Sequence, residues 1–292
     1  MPHNHDSNPA VPTGVSMTAL WAAQARADES ARSDRLFEDS LAQAFVAAAS
    51  SITPAQLEEH FGEIYPLMRD HVAIRTRFFD DYLLEACATG CRQVAVLAAG
   101  VDTRAFRLPW PEGVRLFELD LPEIFTFKEQ VLAREGAKPV CQRIVVEADL
   151  SEEWSAPLLR AGFRPEEPTA WLAEGILPFL TEEENDKLLA RISDLSALGS
   201  RLAFEHTNLD MQELREVPAL RQAAETFEEH GVSTGAVLED LQKWLVRHGW
   251  QGQVYDEANF AASYNRAVPN FEVFAGVDTA MWWLGKAVRG AT

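Results

Sequence analysis

The sequence predicts an α/β protein built on a doubly wound, mostly parallel sheet, with N-terminal helices ahead of the sheet and a helical insertion covering one end of it. Three observations predict this. Short apolar runs recur at residues 94–97, 114–117, 144–146, 170–173 and 201–204, which suits strands buried on both faces. Helical patterns separate most of these runs, at about 124–134 and 182–198, and strand–helix alternation is the signature of a parallel sheet. The runs end in glycines and acids, such as Ala98-Ala99-Gly100 and Glu174-Gly175, the residues found where strands turn.

Taken in chain order, residues 1–14 are polar and predict a disordered tail. Apolar positions near helical spacing (Leu20, Ala23, Ala27, then Leu36, Leu41, Phe45) predict helix from 16 to 49, broken by the charged Arg32-Ser33-Asp34-Arg35. Pro54 opens a short helix, and a longer one spans 70–88 with Val72, Phe79, Leu83 and Ala86 on one face. The five strands and their helices follow. Residues 209–249 read as helical and strongly charged, and the runs at 271–274 and 281–284 predict a strand pair at the sheet edge. Without repeats or a Gly- or Pro-rich linker, residues 15–292 form one predicted domain: a helical cap (15–90), a core (91–208), a helical lid (209–250) and C-terminal edge strands (251–292).

Bulk properties exclude several classes. The 292 residues are 47% hydrophobic and 24% charged, an ordinary globular balance. No apolar run reaches the roughly 18–20 residues that a membrane helix needs. The polar start lacks the order of a signal peptide, so a cytoplasmic location is expected. Three cysteines (Cys87, Cys91, Cys141) cannot all pair with one another, and none has neighbours with zinc-ligand spacing. A net charge of −19 repels phosphate backbones and anionic lipid, so neither nucleic acid nor membrane is an expected partner. The oligomeric state is left open.

Ligands of open α/β sheets sit beyond the carboxyl ends of the strands. The first strand ends at Ala98-Ala99-Gly100, where the glycine allows a tight turn and close backbone approach. The second ends at Asp120-Leu121, placing a carboxylate twenty residues after Gly100, suited to accept from ribose hydroxyls. The third ends at Asp149-Leu150, an acceptor for an adenine amino group followed by an apolar contact, and the fourth at Glu174. Each has a plainer reading: Asp102 caps the next helix, a lone aspartate serves its own turn, or Glu174 pairs with an arginine. Their shared edge favours the ligand reading. Among adenosine cofactors, NAD prefers Gly-x-Gly-x-x-Gly, whereas Gly100-Val101-Asp102-Thr103-Arg104-Ala105 keeps one glycine of three and sets an acid beside the would-be phosphates. S-adenosyl-L-methionine (SAM), cationic and free of phosphate, fits these residues better.

An ordered series of motifs extends the case: Ser16-Met17-Thr18-Ala19-Leu20, Arg32-Ser33-Asp34-Arg35-Leu36-Phe37, Ile74-Arg75-Thr76-Arg77-Phe78-Phe79-Asp80, Ala99-Gly100-Val101-Asp102-Thr103-Arg104-Ala105-Phe106, Glu118-Leu119-Asp120-Leu121-Pro122, Ala148-Asp149-Leu150 and Ala173-Glu174-Gly175. Across about residues 15–206 the chain resembles the leucine carboxyl methyltransferase superfamily, especially its bacterial branch of SAM-dependent and polyketide O-methyltransferases. The resemblance implies a class I, Rossmann-like methyltransferase fold. It also implies that Arg75 pairs with the SAM carboxylate, that Ala98, Ala99 and Gly100 face its methionine portion, and that Asp120 with Leu121 holds the ribose. Asp149 and Leu150 would hold the adenine, and Glu174 the methionine amino group. Arg75 shares a helix face with Phe79 and Tyr82, and an arginine on an apolar face needs an acidic partner. Arg77, four positions before Asp81, reads instead as a surface ion pair. The chain departs from the family at Ala98, where glycine is usual, and at Phe179, often tyrosine.

The implied activity is O-methylation of a small-molecule acceptor in secondary metabolism. A carboxylate is already ionised and needs no base, whereas a phenol of pKa about 10 benefits from one. His206, at the fifth strand end, is the histidine expected near the site, as base, hydrogen-bond donor or structural residue. Trp171, Phe179, Trp244 and Tyr264 line either an acceptor pocket or the core. Two rivals stand beside this reading: a SAM-binding protein without methyl transfer, motivated by Ala98, and a nucleotide-dependent oxidoreductase.

Overall fold

A computed structural model describes residues 16–49, 65–207, 240–267 and 282–290, with 215, 216, 221 and 225 as isolated positions. The predicted tail, the Pro54 helix, the run at 271–274 and most of the predicted lid lie outside the described residues.

The chain runs α1 (Ser16–Ser30), α2 (Ser40–Ala48), α3 (Tyr65–Ala88), β1 (Gln93–Leu97), α4 (Arg104–Arg107), β2 (Arg115–Asp120), α5 (Pro122–Arg134), β3 (Gln142–Glu147), α6 (Ser155–Arg160), β4 (Thr169–Ala173), α7 (Glu182–Asp194), β5 (Arg201–Thr207), α8 (Leu241–Arg247), β6 (Trp250–Asp256), α9 (Glu257–Ser263) and β7 (Trp282–Arg289). A single seven-stranded sheet has the order β3-β2-β1-β4-β5-β7-β6. Strands β1 to β5 are mutually parallel, and β7 runs antiparallel between β5 and β6.

Of the predicted C-terminal pair, the run at 281–284 falls in β7 from residue 282 on, one strand in from the edge, and the run at 271–274 lies outside the described residues. The partner of β7 is Trp250–Asp256, outermost in the sheet. This strand was hidden in the sequence because it carries Gln251, Gly252 and Gln253 among its apolar residues. Glycine is needed at two crossings here. A Cβ on Gly285 would stand 2.2 Å from the Phe204 ring, and one on Gly252 would stand 2.5 Å from the Lys286 carbonyl. The described part of the predicted lid also behaves differently. Trp244 of α8 is buried against Phe204 at a ring-centroid distance of 5.8 Å, so α8 flanks the sheet.

Two apolar layers sandwich the strands. Alternate residues of β1 and β4 face α6, α7 and α8 on one side (Leu97, Trp171, Ala173) and α3 on the other (Val94, Val96, Leu172). Every residue of β1 and β4 is buried, and each large apolar side chain so buried contributes about 1.5–3 kcal/mol. Helix α7 starts with a complete capping box, Thr181 with Glu184, which fixes where the chain leaves β4 and turns back. No helix among the described residues is long and apolar enough to cross a membrane.

Candidate active site at the strand carboxyl ends

Register decides which of the predicted residues meet. Leu97 pairs with Leu119 of β2 and Ala173 of β4, and Ala173 pairs with Phe204 of β5. One residue further on, Asp120, Ala98, Glu174 and Glu205 therefore stand in a row across the sheet, one strand spacing of about 4.8 Å apart. The strand order reverses between β1 and β4, which makes this row the switch-point crevice where such sheets bind ligands.

At the β1–β2 side the backbone makes a cradle. Ala98 and Gly100 both adopt left-handed conformations, with φ of 48° and 50°. The Gly100 N–H donates to Asp120 Oδ2 at 2.5 Å and the Leu121 N–H to Oδ1 at 2.8 Å. Burial pushes the Asp120 pKa up, against the pull of these two amides. The turn is covered from above by α1: a Cβ on Gly100 would lie 3.0 Å from that of Ala19. Arg26 of α1 donates to the Val101 carbonyl at 2.9 Å and to Asp39 at 2.9 Å, and Asp39 also accepts from Thr103 at 2.7 Å. The N-terminal helices thus close on the first turn through buried polar contacts.

At the β4–β5 side lies a buried ion-pair network. Arg75 Nε donates to Glu174 at 3.1 Å, and its Nη1 donates to both oxygens of Glu205 at 2.8 and 2.9 Å. Arg104 joins Glu174 (2.7 Å), Asp80 (2.7 Å) and Asp102. The plainer reading of Glu174 thus holds as well: two arginines share it. Asp102, one residue before the Thr103 N-cap of α4, accepts from the Arg104 N–H at 2.7 Å and so serves its own turn rather than capping the helix. Burial alone would raise its pKa, but Arg104 and Lys128 outweigh it and hold Asp102 down at about 2. Arg77 pairs with Asp81 at 2.9 Å, both half-exposed, as a surface ion pair, and also donates to the Leu36 carbonyl at 3.0 Å.

The remaining predicted residues are more loosely connected. Asp149 is exposed and accepts from the Ser151 amide and hydroxyl at 2.8 and 2.6 Å, while Leu150 is half-buried against the apolar layer. His206 is buried, and burial drops its pKa to about 4. Strand alternation turns it to the face opposite Glu205 and Arg75. It is also not the site's sole histidine: His71 on α3 reaches Glu205. Trp171 and Trp244 are core residues beneath the site, not pocket walls, while Phe179 is half-buried and the Tyr264 hydroxyl points to Asp81 at 3.4 Å.

Sequence reasoning missed His71, Arg104 and Glu205. Arg104 and Glu205 had a signal, since each ionisable residue adjoins a predicted apolar strand or turn and, buried, must find a partner. His71 had none. Its partner Glu257 lies 186 positions away.

Comparison with known proteins gives the family. A model of the leucine carboxyl methyltransferase family matches residues 19–193, which include most of α1, all of α3 and every strand end of the row but that of β5. The chain belongs to the leucine carboxyl methyltransferase family. Two relatives bear the name "Putative S-adenosyl-L-methionine-dependent methyltransferase": one from Parafrankia sp., 48% identical across 88% of this chain and 83% of its own length, and one from Frankia alni, 46% identical across 89% and 91%. In solved structures, a "putative methyltransferase" from Thermobifida fusca matches over 100% of both chains with a TM-score of 0.62 at 14% identity. That likeness establishes the fold of this family member, a class I methyltransferase-like α/β sheet.

Proposed function

We propose that this leucine carboxyl methyltransferase family member is a SAM-dependent O-methyltransferase that acts on a small-molecule carboxylate. The observation that carries the proposal is the row of strand ends, with an ion-pair anchor at one side and a partly satisfied carboxylate at the other. Asp120 and Glu174 are two strand spacings, about 10 Å, apart, which suits an elongated ligand with a ribose at one end and an amino acid at the other.

The residues fit SAM. Each Asp120 oxygen accepts one backbone N–H and retains a lone pair for a ribose hydroxyl. Arg75 uses Nε and Nη1 within the network, while Nη2 lies 3.8 Å from where a Gly175 Cβ would be. Its N–H groups bond no described residue and can take the ligand carboxylate. Gly175, at φ 68°, keeps that approach open. Glu174 accepts the ammonium, Ala98, Ala99 and Gly100 face the methionine chain, and Leu121, Asp149 and Leu150 border the adenosine end. SAM supplies a methyl group already activated by positive sulfur. The chain's own work is alignment and exclusion of water, through α1 over the turn and the buried ion pairs beneath it.

The state of His206 favours a carboxylate over a phenol. A histidine with a pKa of about 4 is neutral at pH 7 and a weak base, and alternation turns His206 to the face opposite Glu205 and Arg75, so it offers the crevice no general base and an acceptor that is already ionised fits better. Ala98 supports a second reading, a SAM-binding protein without transferase activity, because its methyl group stands in the cofactor turn. The deciding test is transfer of labelled methyl from SAM to a panel of carboxylic acids and phenols. Labelled esters support the proposal. Labelled aryl ethers alone would overturn the carboxylate assignment, and SAM binding without any labelled product would favour the second reading.

A further inference from the structure

Glu174 and Glu205 stand side by side in the strand-end row, and Arg75 is inserted between them. Glu205 is buried and Glu174 half-buried, and because Arg104 shares Glu174, the heavier demand on Arg75 comes from Glu205 and draws its guanidinium inward. Glu205 carries the heavier load. Besides Arg75 it accepts from the Gly175 N–H at 2.9 Å, and on its far side it meets His71 Nε2 at 3.5 Å. The other ring nitrogen of His71, Nδ1, lies 2.7 Å from Oε2 of Glu257, at the start of α9. With Glu257 hydrogen-bonded at Nδ1 and Glu205 beyond Nε2, the surroundings of the ring favour an imidazolium, against the Arg75 Nη1 that also lies 3.4 Å from Nε2. Its plane is fixed by stacking on Trp282 of β7, with centroids 4.5 Å apart and an angle of 26°. Four elements (α3, β5, α9 and β7) therefore converge to hold one cation behind Glu205. A neutral side chain would fill the space equally well, so packing alone does not account for the charge.

We propose that His71 is a positioning residue for the cofactor site: its imidazolium neutralises Glu205 from behind, so that Arg75 presents Nη2 outward for a ligand carboxylate instead of turning both nitrogens onto Glu205. The proposal rests on the SAM reading of the crevice for its ligand, though not for the His71–Glu205–Arg75 coupling. The ionisable groups facing His71 are Glu257 on α9, Glu205 on β5 and Arg75 on its own helix. Burial works against the charge of His71, but Glu257 and Glu205 outweigh it and raise the pKa to about 9. The coupling is therefore switchable at mild alkaline pH.

The experiment has two readouts. In the ligand-free protein, the Arg75 Nε–H resonance is followed from pH 7 to 10 in the unmutated chain and in His71→Gln. The unmutated protein should show a titration near pH 9 that the variant lacks, and Glu257→Gln should move the midpoint down. Calorimetric titration with SAM should give an affinity about tenfold weaker for His71→Gln below pH 8, the worth of one charged hydrogen bond. That ratio should approach one above pH 10. Taking the ratio cancels titration of the ligand's own amino group. A ratio independent of pH, or an Arg75 signal that ignores pH, would reduce His71 to a packing residue and overturn the proposal. If His71→Gln does not fold, the unmutated titration and Glu257→Gln still decide the coupling. A coupled Arg75 signal in a protein that does not bind SAM would instead sink the SAM reading and leave the coupling standing.

Discussion

Replacing Ala98 by glycine should make the protein more stable and tighten its hold on SAM together. Ala98 sits at φ 48°, half-buried in the turn after β1. An L-residue in the left-handed region costs roughly 1–2 kcal/mol, because Cβ crowds the following carbonyl. Glycine removes that strain but gains freedom in the unfolded chain worth about 0.5–1 kcal/mol. The net expectation is a gain of about 0.5–1 kcal/mol, or a rise in Tm of about 2 °C for a chain of this size. Ala98 also stands between Asp120 and Glu174 in the strand-end row, with its methyl against the apolar layer, so trimming it should open space in the turn for the methionine chain. The assay pairs thermal unfolding with calorimetric SAM titration of the wild-type chain and Ala98→Gly, with Ala98→Val as the opposite control. Valine, β-branched at positive φ, should lower both Tm and affinity. A lower Tm for Ala98→Gly, or an unchanged affinity in both variants, would refute the reasoning that this turn is strained and faces the cofactor.

Two further outcomes follow from the buried network. Arg104→Met leaves Asp80, Asp102 and Glu174 without their shared cation; it should cost about 3–5 kcal/mol in denaturant unfolding, and a loss below about 1 kcal/mol would contradict the network's importance. For Glu205, burial raises the pKa but Arg75 and His71 outweigh it and bring it to about 2, below its unfolded value. Its contribution is therefore complete above about pH 4.5 and lost as pH falls toward 2, roughly 3 kcal/mol in all. Unfolding free energies measured from pH 7 to 3 should show a steeper acid loss in the wild-type chain than in Glu205→Gln; parallel curves would be the contrary result.

The parallel half of the fold was legible because β1, β2, β4 and β5 are buried strands whose apolar runs need no partner to be recognised. The antiparallel end was not: β6 is an edge strand with polar, half-exposed residues, and its periodicity is weak. The turn glycine Gly100, Asp120 and Glu174 were legible for a related reason, since each follows an apolar run directly, where sheet topology places ligands. What the sequence concealed was the pairing among ions. That Arg75 lies between Glu174 and Glu205 depends on strand register and on the angle of α3, and that His71 is charged depends on Glu257, from an element after the edge strand. His206 shows the same limit in reverse. It occupies the expected strand end, yet alternation aims it at the other face of the sheet, where burial makes it a poor base.

The central claim is that the crevice between β1, β2 and β4 binds SAM with Asp120 on the ribose. Calorimetric titration of the wild-type chain and of Asp120→Ala with SAM tests it most directly. The account predicts saturable, stoichiometric binding by the wild-type chain and a loss of at least tenfold in affinity in the variant, the worth of one charged hydrogen bond, while the variant remains folded. Equal affinity in the two proteins would contradict the account.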